Sequence, residues 1–273
     1  MLGVREQWRR ARRPRVLGGV RRAAVVVVAT FLAVGLTPLS ASATTNVYGG
    51  LGYDVSYPNC TNSVPTGSSF GIVGMTGGRP FSTNGCAAAE WSAAPVASSG
   101  TPGPSAYFNT GYAGAYAKSI TSACSSASQT AGVYGTLAKH ALAQAEQAWA
   151  IGCSEVDWAR SVLSTVTSGA PAMWWADIET GNSWSLTTSL NRFTIDGISY
   201  EMQQGSRLGG VYSTSASWAK ITGSASWTPT PAPTANWVAG ATGCPSSSPF
   251  NPGSPTWLAQ TGQTGGVDVD TAC

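Results

Sequence analysis

Charge is scarce in this 273-residue chain: Asp, Glu, Lys and Arg together supply 10% of it. There is a single histidine, His140, and no C-x-x-C pair. These shortages exclude chemistry. A multi-histidine metal site cannot be built, and zinc motifs have no cysteine spacing to start from. A Ser-His-Asp triad would have to use His140, which sits in an Ala-rich helical stretch and reads as a helix surface or packing residue. The longest apolar run, Ala23 to Leu36, falls short of the roughly 20 residues a membrane-spanning helix needs. No repeat of roughly 20–50 residues is evident.

The basic charge is concentrated at one end. Eight Arg fall within the first 22 residues, followed by that apolar run and by Ala41-Ser42-Ala43. A basic region, a short apolar stretch and a small-x-small site read as a secretory signal peptide over residues 1–43. An uncleaved anchor is the alternative for the same pattern. Residues 44–273 then hold seven basic and eleven acidic residues, a net charge of −4. A nucleic-acid binder needs a basic footprint, and none is left. The expected product is an extracellular monomer, free of the membrane after cleavage.

That remaining chain is long enough for one substantial core. The whole sequence has 11 Trp to fill a core, with 33 Gly and 16 Pro to turn the backbone. All six cysteines lie behind the leader, which predicts three disulfides. Fifteen connectivities are possible; nearest-neighbour pairing is the expectation.

Eight short apolar runs bounded by turn residues predict strands: 52–56, 70–76, 106–110, 172–179, 209–213, 236–239, 256–260 and 266–270. Most do not alternate cleanly, which suits strands covered on both faces. Helical patterns run over 137–151, 155–167 (with Ser154 as N-cap), 186–204 and 215–221. Segment 111–135 reads as a long loop, and the Pro-rich 227–234 as a surface loop inside one domain. Together these predict an α/β fold, a single-domain (β/α)8 TIM-type barrel over residues 44–273.

Five acidic residues fall at the C-terminal ends of three predicted strands: Asp54, Asp177, Glu179, Asp268 and Asp270. Strand C-terminal ends carry the active site in such barrels. Asp177 and Glu179, two apart on one strand, share a face with Cα atoms about 6.6 Å apart. Asp268 and Asp270 repeat the pattern. Converging carboxylates raise one another's pKa, and a protonated carboxyl facing an ionised one can hydrolyse glycosides. Loop caps, calcium ligands or salt bridges are the plainer alternatives, but basic partners are few and no EF-hand-like loop is present. Among the aromatics near strand ends, Tyr107 and Tyr212 are the expected cleft residues, since ring faces suit sugars.

The motifs resemble glycoside hydrolase family 25, the lysozyme-like enzymes, and related secreted bacterial hydrolase-like domains. Gly52-Tyr53-Asp54-Val55-Ser56 is similar to the family's G-x-D-V-S opening, and Asp177-Ile178-Glu179 to its D-x-E. Gly210-Val211-Tyr212-Ser213, Trp237-Val238-Ala239, Trp257 with Gln260, and Val267-Asp268-Val269-Asp270 are similar to later elements, in the same order. Two strands depart: Ile72-Val73-Gly74-Met75-Thr76 lacks the K-A-[ST]-x-G stretch, and Tyr107-Phe108-Asn109-Thr110 lacks the His of Y-H-F. The resemblance implies an N-acetylmuramidase that cleaves β-1,4 links in peptidoglycan without a cofactor. It implies Glu179 as general acid and Asp177 as stabiliser of developing charge or orienter of the N-acetyl group. Asp54 and Asp268 complete the catalytic cluster. Asp270, Tyr107, Tyr212 and Gln260 are the implied substrate contacts. The competing reading is a catalytically silent barrel that binds cell-wall glycan.

Overall fold

The computed structural model describes residues 44–62, 64–97, 103–130 and 137–273. The leader assigned to residues 1–43 lies outside them, as does part of the 111–135 segment. All eight expected strands form: β1 (Leu51–Val55), β2 (Phe70–Gly74), β3 (Ser105–Asn109), β4 (Trp174–Asp177), β5 (Gly209–Ser213), β6 (Ala235–Val238), β7 (Thr256–Thr264) and β8 (Val267–Ala272). They close a barrel in sequence order. The described helices are α1 (Ala87–Ala93), α2 (Ser122–Thr130), α3 (Lys139–Val166), α4 (Thr188–Met202) and α5 (Ser215–Thr222).

Strand alternation sorts the side chains into two layers. Tyr53, Val55, Val73, Phe108, Trp174, Ala176, Val211 and Val238 pack against helix residues such as Val156, Leu163, Ile195 and Trp218. Their neighbours along the strands form a second core, with Phe70, Ile72, Trp175, Ala235 and Trp237 filling the barrel. Glycines make room for the rings. A Cβ on Gly52 would sit 2.3 Å from the Phe70 ring, and one on Gly210 would sit 2.2 Å from that of Trp175. The apolar runs that did not alternate in sequence are thus strands covered on both sides.

The closing strand differs from a regular (β/α)8 barrel. β8 runs antiparallel to both β7 and β1. Only Gly265 (φ 61°) and Gly266 (φ 78°) separate β7 from β8. Two residues with positive φ make a primed hairpin turn, whereas a parallel return needs about a dozen residues. The start of β8, not its end, therefore reaches the barrel mouth. Asp268 lies opposite Asp54, and Asp270 sits deeper, opposite Gly52. This corrects the expected position of Asp268 and Asp270 at a strand C-terminus.

The helices carry two further corrections. The patterns at 137–151 and 155–167 are one continuous helix, α3. Ser154 does not cap it; its hydroxyl donates to the Ala150 carbonyl one turn back, at 2.7 Å. Gly152 does not break it either, because it is a contact point. A Cβ there would lie 1.9 Å from the Thr194 carbonyl of α4, and one on Gly197 would lie 2.1 Å from that of Trp149. The segment read as a loop from 111 contains a 3-10 turn at Gly114–Ser119 and then α2. The Cys124–Cys153 disulfide ties α2 to α3. The other bridges are Cys60–Cys86 and Cys244–Cys273, so the pairing is nearest-neighbour throughout. His140 lies exposed on α3. Among the described residues no helix is long and apolar enough to cross a membrane.

Candidate active site

The strands end their inward faces on polar residues. Register pairing carries one row around half of the mouth: Asn109 beside Asp177, Asp177 beside Tyr212, and Tyr212 beside Trp237. In-register residues of parallel neighbours share a face, so all four point inward. Asp54 and Asp268 pair across β1 and β8. Two residues beyond Asp177, Glu179 stands on the β4–α4 loop. These seven residues, with Tyr107 and Gln260, line a cavity of about 180 Å³. Among the described residues no basic side chain lines it, and Arg79 is exposed outside it.

The structure therefore brings seven of the eight expected site residues to one cavity: Asp54, Asp177, Glu179, Asp268, Tyr107, Tyr212 and Gln260. Asp270 is the exception. It is fully buried beneath the cavity and does not line it. Its Oδ1 accepts from the Trp237 indole at 2.8 Å, and its Oδ2 has no partner among the described residues. Burial, then the Asp54 charge, holds Asp270 well above the usual carboxylate range.

Each site carboxyl is held differently. Asp54 Oδ2 accepts from Gln260 Nε2 at 3.0 Å, and Gln260 Oε1 accepts from the Tyr212 hydroxyl at 2.8 Å. Burial, reinforced by the Asp268 charge, pushes the Asp54 carboxyl up to about 7. Asp177 Oδ2 accepts from Asn109 Nδ2. Asn109 is itself fixed, its Oδ1 accepting from the Thr76 hydroxyl at 2.8 Å. Burial first, and the Glu179 charge second, push Asp177 up to about 8, against the opposing pull of that amide. Asp177 Oδ1 has no partner among the described residues. Glu179 is only half-buried. Burial and the Asp268 charge raise its carboxyl too. Its backbone is clamped, since the Glu179 carbonyl accepts from the Trp184 indole at 2.8 Å. Asp268 is half-buried and accepts from Gln263 Nε2 at 2.7 Å.

The arrangement supplies carboxyl groups of unequal exposure around one small opening, in a setting that keeps protons on some of them near neutral pH. Asn109 and Trp237 were missed as site residues in the sequence. The signal was present, because Asn109 is two residues from Tyr107 on the same strand face. Of the aromatics near strand ends, Tyr53 and Trp257 proved to be core. Among the described residues, the His, Cys, Asp or Glu side chains that gather three donor atoms close enough to share a metal ion are Cys60, Cys86 and Glu90, and the two cysteines are bonded to each other.

No protein-family model matches the chain, and no curated protein matches its sequence. Among solved structures, the barrel is similar to a bacterial lysozyme from Streptomyces coelicolor. The TM-score is 0.50 at 19% identity, over 82% of this chain and 92% of that one. The fold is lysozyme-like. An uncharacterized B. stearothermophilus protein matches with a TM-score of 0.39 at 13% identity, over 82% of this chain and 96% of the other.

Proposed function

We propose that this chain is a secreted glycoside hydrolase, a lysozyme-like N-acetylmuramidase that cleaves β-1,4 links in peptidoglycan. The observation that carries the reading is the cation-free cavity lined by Asp54, Asp177, Glu179 and Asp268 at the mouth of a lysozyme-like barrel. In this reading residues 1–43 are the leader, and residues 44–273 are the mature enzyme.

Glu179 is the general acid. Among the acids with raised carboxyls in this cavity it is the least buried, so it can reach a glycosidic oxygen while still holding a proton. Asp177 is oriented by the Asn109 amide and stabilises the positive charge that develops at the anomeric carbon, or steers the neighbouring N-acetyl group. As the glycosidic bond breaks, its electrons go to the leaving oxygen, which takes the Glu179 proton. Water completes the hydrolysis. Burial and the Asp268 charge keep Glu179 protonated beforehand, and the negative field of Asp54 and Asp268 favours the cationic transition state. Tyr107, Tyr212 and Gln260 present a ring face, a hydroxyl and an amide to the sugar. The volume of about 180 Å³ is below the roughly 300 Å³ of a drug-sized pocket and fits one ring of a longer chain.

The test is digestion of purified peptidoglycan by the oxidised protein, with released fragments read by mass spectrometry. Fragments ending in reducing N-acetylmuramic acid are expected, and Glu179→Gln should release none. Binding of wall glycan without release would favour the silent barrel instead.

A further inference from the structure

A second cavity opens beside the site, on the far side of the β4–α4 loop. It has a volume of about 270 Å³ and is lined by Thr180, Asn182, Trp184, Ser185, Leu186, Lys220 and Ile221. Its wall begins one residue after Glu179. Asn182 belongs to both regions, since its amide also donates toward the Asp177 carbonyl at 3.4 Å.

The chemistry of this cavity is the reverse of the first. Among the described residues no acidic side chain lines it, and a cation does. Lys220 is exposed and makes no ion pair among the described residues, where both ion pairs involve Arg160. Its place in the last turn of α5 suits the helix dipole. The dipole does not account for the apolar surface beside it. Leu186 is fully exposed, at 104% of its reference area, and Trp184 is half-buried next to it. A lone cation, an exposed leucine and an indole together fit a ligand that has both a carboxylate and small apolar side chains. An uncharged sugar ring calls for neither the lysine nor the leucine.

We infer that this cavity is a subsite for the carboxylate-bearing peptide branch of the glycan. The inference rests on the muramidase reading for the nature of the polymer. With one sugar in the carboxylate cavity, the branch leaves the chain over the β4–α4 loop. Its carboxylate meets Lys220, and its apolar side chains cover Leu186 and Trp184. The net charge of −4 on residues 44–273 makes such a cation valuable, because it offsets the repulsion an acidic branch would otherwise meet.

The experiment measures binding of three soluble fragments to the full disulfide-bonded protein by calorimetry. They are a disaccharide-peptide with free carboxylates, the same fragment with those carboxylates amidated, and the bare disaccharide. The free-acid fragment should bind about fivefold more tightly than the amidated one, as for an exposed ion pair. Lys220→Ala should erase that gap and leave the bare disaccharide unaffected. Leu186→Ala should weaken both peptide forms and spare the disaccharide. Equal binding of the acid and amidated forms, or a gap that survives Lys220→Ala, overturns the inference. Peptidoglycan digestion is run alongside. Digestion without the gap sinks the subsite alone. A Lys220-dependent gap without digestion keeps the subsite and sinks the hydrolase reading.

Discussion

Two sets of buried acids can be compared in this molecule, and burial alone does not tell them apart. Glu155, Asp196, Glu90 and Glu201 lie around the barrel, outside the carboxylate cavity. Each has a dedicated partner: the Gly111 amide at 3.1 Å, the Thr230 amide at 2.7 Å, the Asn84 side chain at 2.6 Å, and Arg160. Desolvation raises all four. At the mouth, Asp54, Asp177 and Glu179 are raised by desolvation as well, and neighbouring carboxylates add to it; in the outer set only Glu201 has such a neighbour, Asp157, and Arg160 offsets it. An elevated carboxyl is therefore a poor marker of function by itself. What separates the sets is whether acids face one another across an open cavity or face a donor inside the packing.

The sharpest test of that distinction exchanges one acid from each set. Glu179→Gln should lower hydrolysis by about 10³-fold, the middle of the range for loss of a general acid, with little change in melting temperature. Glu155→Ala should do the opposite. It leaves the Gly111 amide without its partner and opens a hole between α3 and the β3 exit, costing about 2–4 kcal/mol. Specific activity of the folded fraction should stay within a few-fold of the parent. Thermal melts and fragment release on the same two preparations decide the matter. Equal stability losses in both variants would erase the comparison.

Legibility in the sequence divides along similar lines. The barrel was readable because eight apolar runs bounded by turns leave few other folds, and the D-x-E of Asp177 and Glu179 stood out in a chain with so few charges. The direction of β8 was also written there, in Gly265-Gly266 between two β-prone runs, but a βα rhythm masked the hairpin signal. Ser154 and Gly152 misled because each has a second use. A serine can bond back into its own helix, and a glycine can admit a neighbouring backbone, so local propensity lost to the packing of α3 on α4. The split between Asp268 at the mouth and Asp270 beneath it was missed with that hairpin, because depth depends on strand direction. The neighbours that tune each carboxyl come from strands far apart in sequence, as with Asn109 on Asp177 and Gln260 on Asp54.

A smaller effect sharpens the comparison inside the site. The Asn109 amide stabilises the ionised form of Asp177, opposing both its burial and the Glu179 charge. Asn109→Ala should therefore raise the Asp177 pKa further and reduce the fraction ionised at a given pH. A loss of about tenfold in kcat is expected near neutral pH, with partial recovery as pH rises and Asp177 ionises. A purely structural role would depress the rate equally at every pH. The pH profile of kcat for parent and variant distinguishes the two.

The gentlest test concerns stability and uses an acid from the outer set. Asp196 is 7% exposed, and burial pushes its carboxyl up to about 7 from 3.8 despite the Thr230 amide and the Arg192 charge. Between those values the folded chain binds a proton that the unfolded chain has released. Stability is then full below about pH 4 and falls as pH rises toward 7, by at most about 1.4 kcal/mol per unit from this group. Asp196→Asn removes the titration while its Oδ1 still accepts from Thr230. The variant should match the parent at pH 4 and exceed it at pH 8, by an amount on the order of 2–4 kcal/mol. Denaturant melts at the two pH values read this directly. Asp54 and Asp177 at the mouth and Glu155 in the outer set impose the same sign of slope, so the variant keeps a residual decline. If the variant's stability were flat from pH 4 to pH 8, neither set would carry elevated protons, and the premise that burial raises the acids of both would be lost.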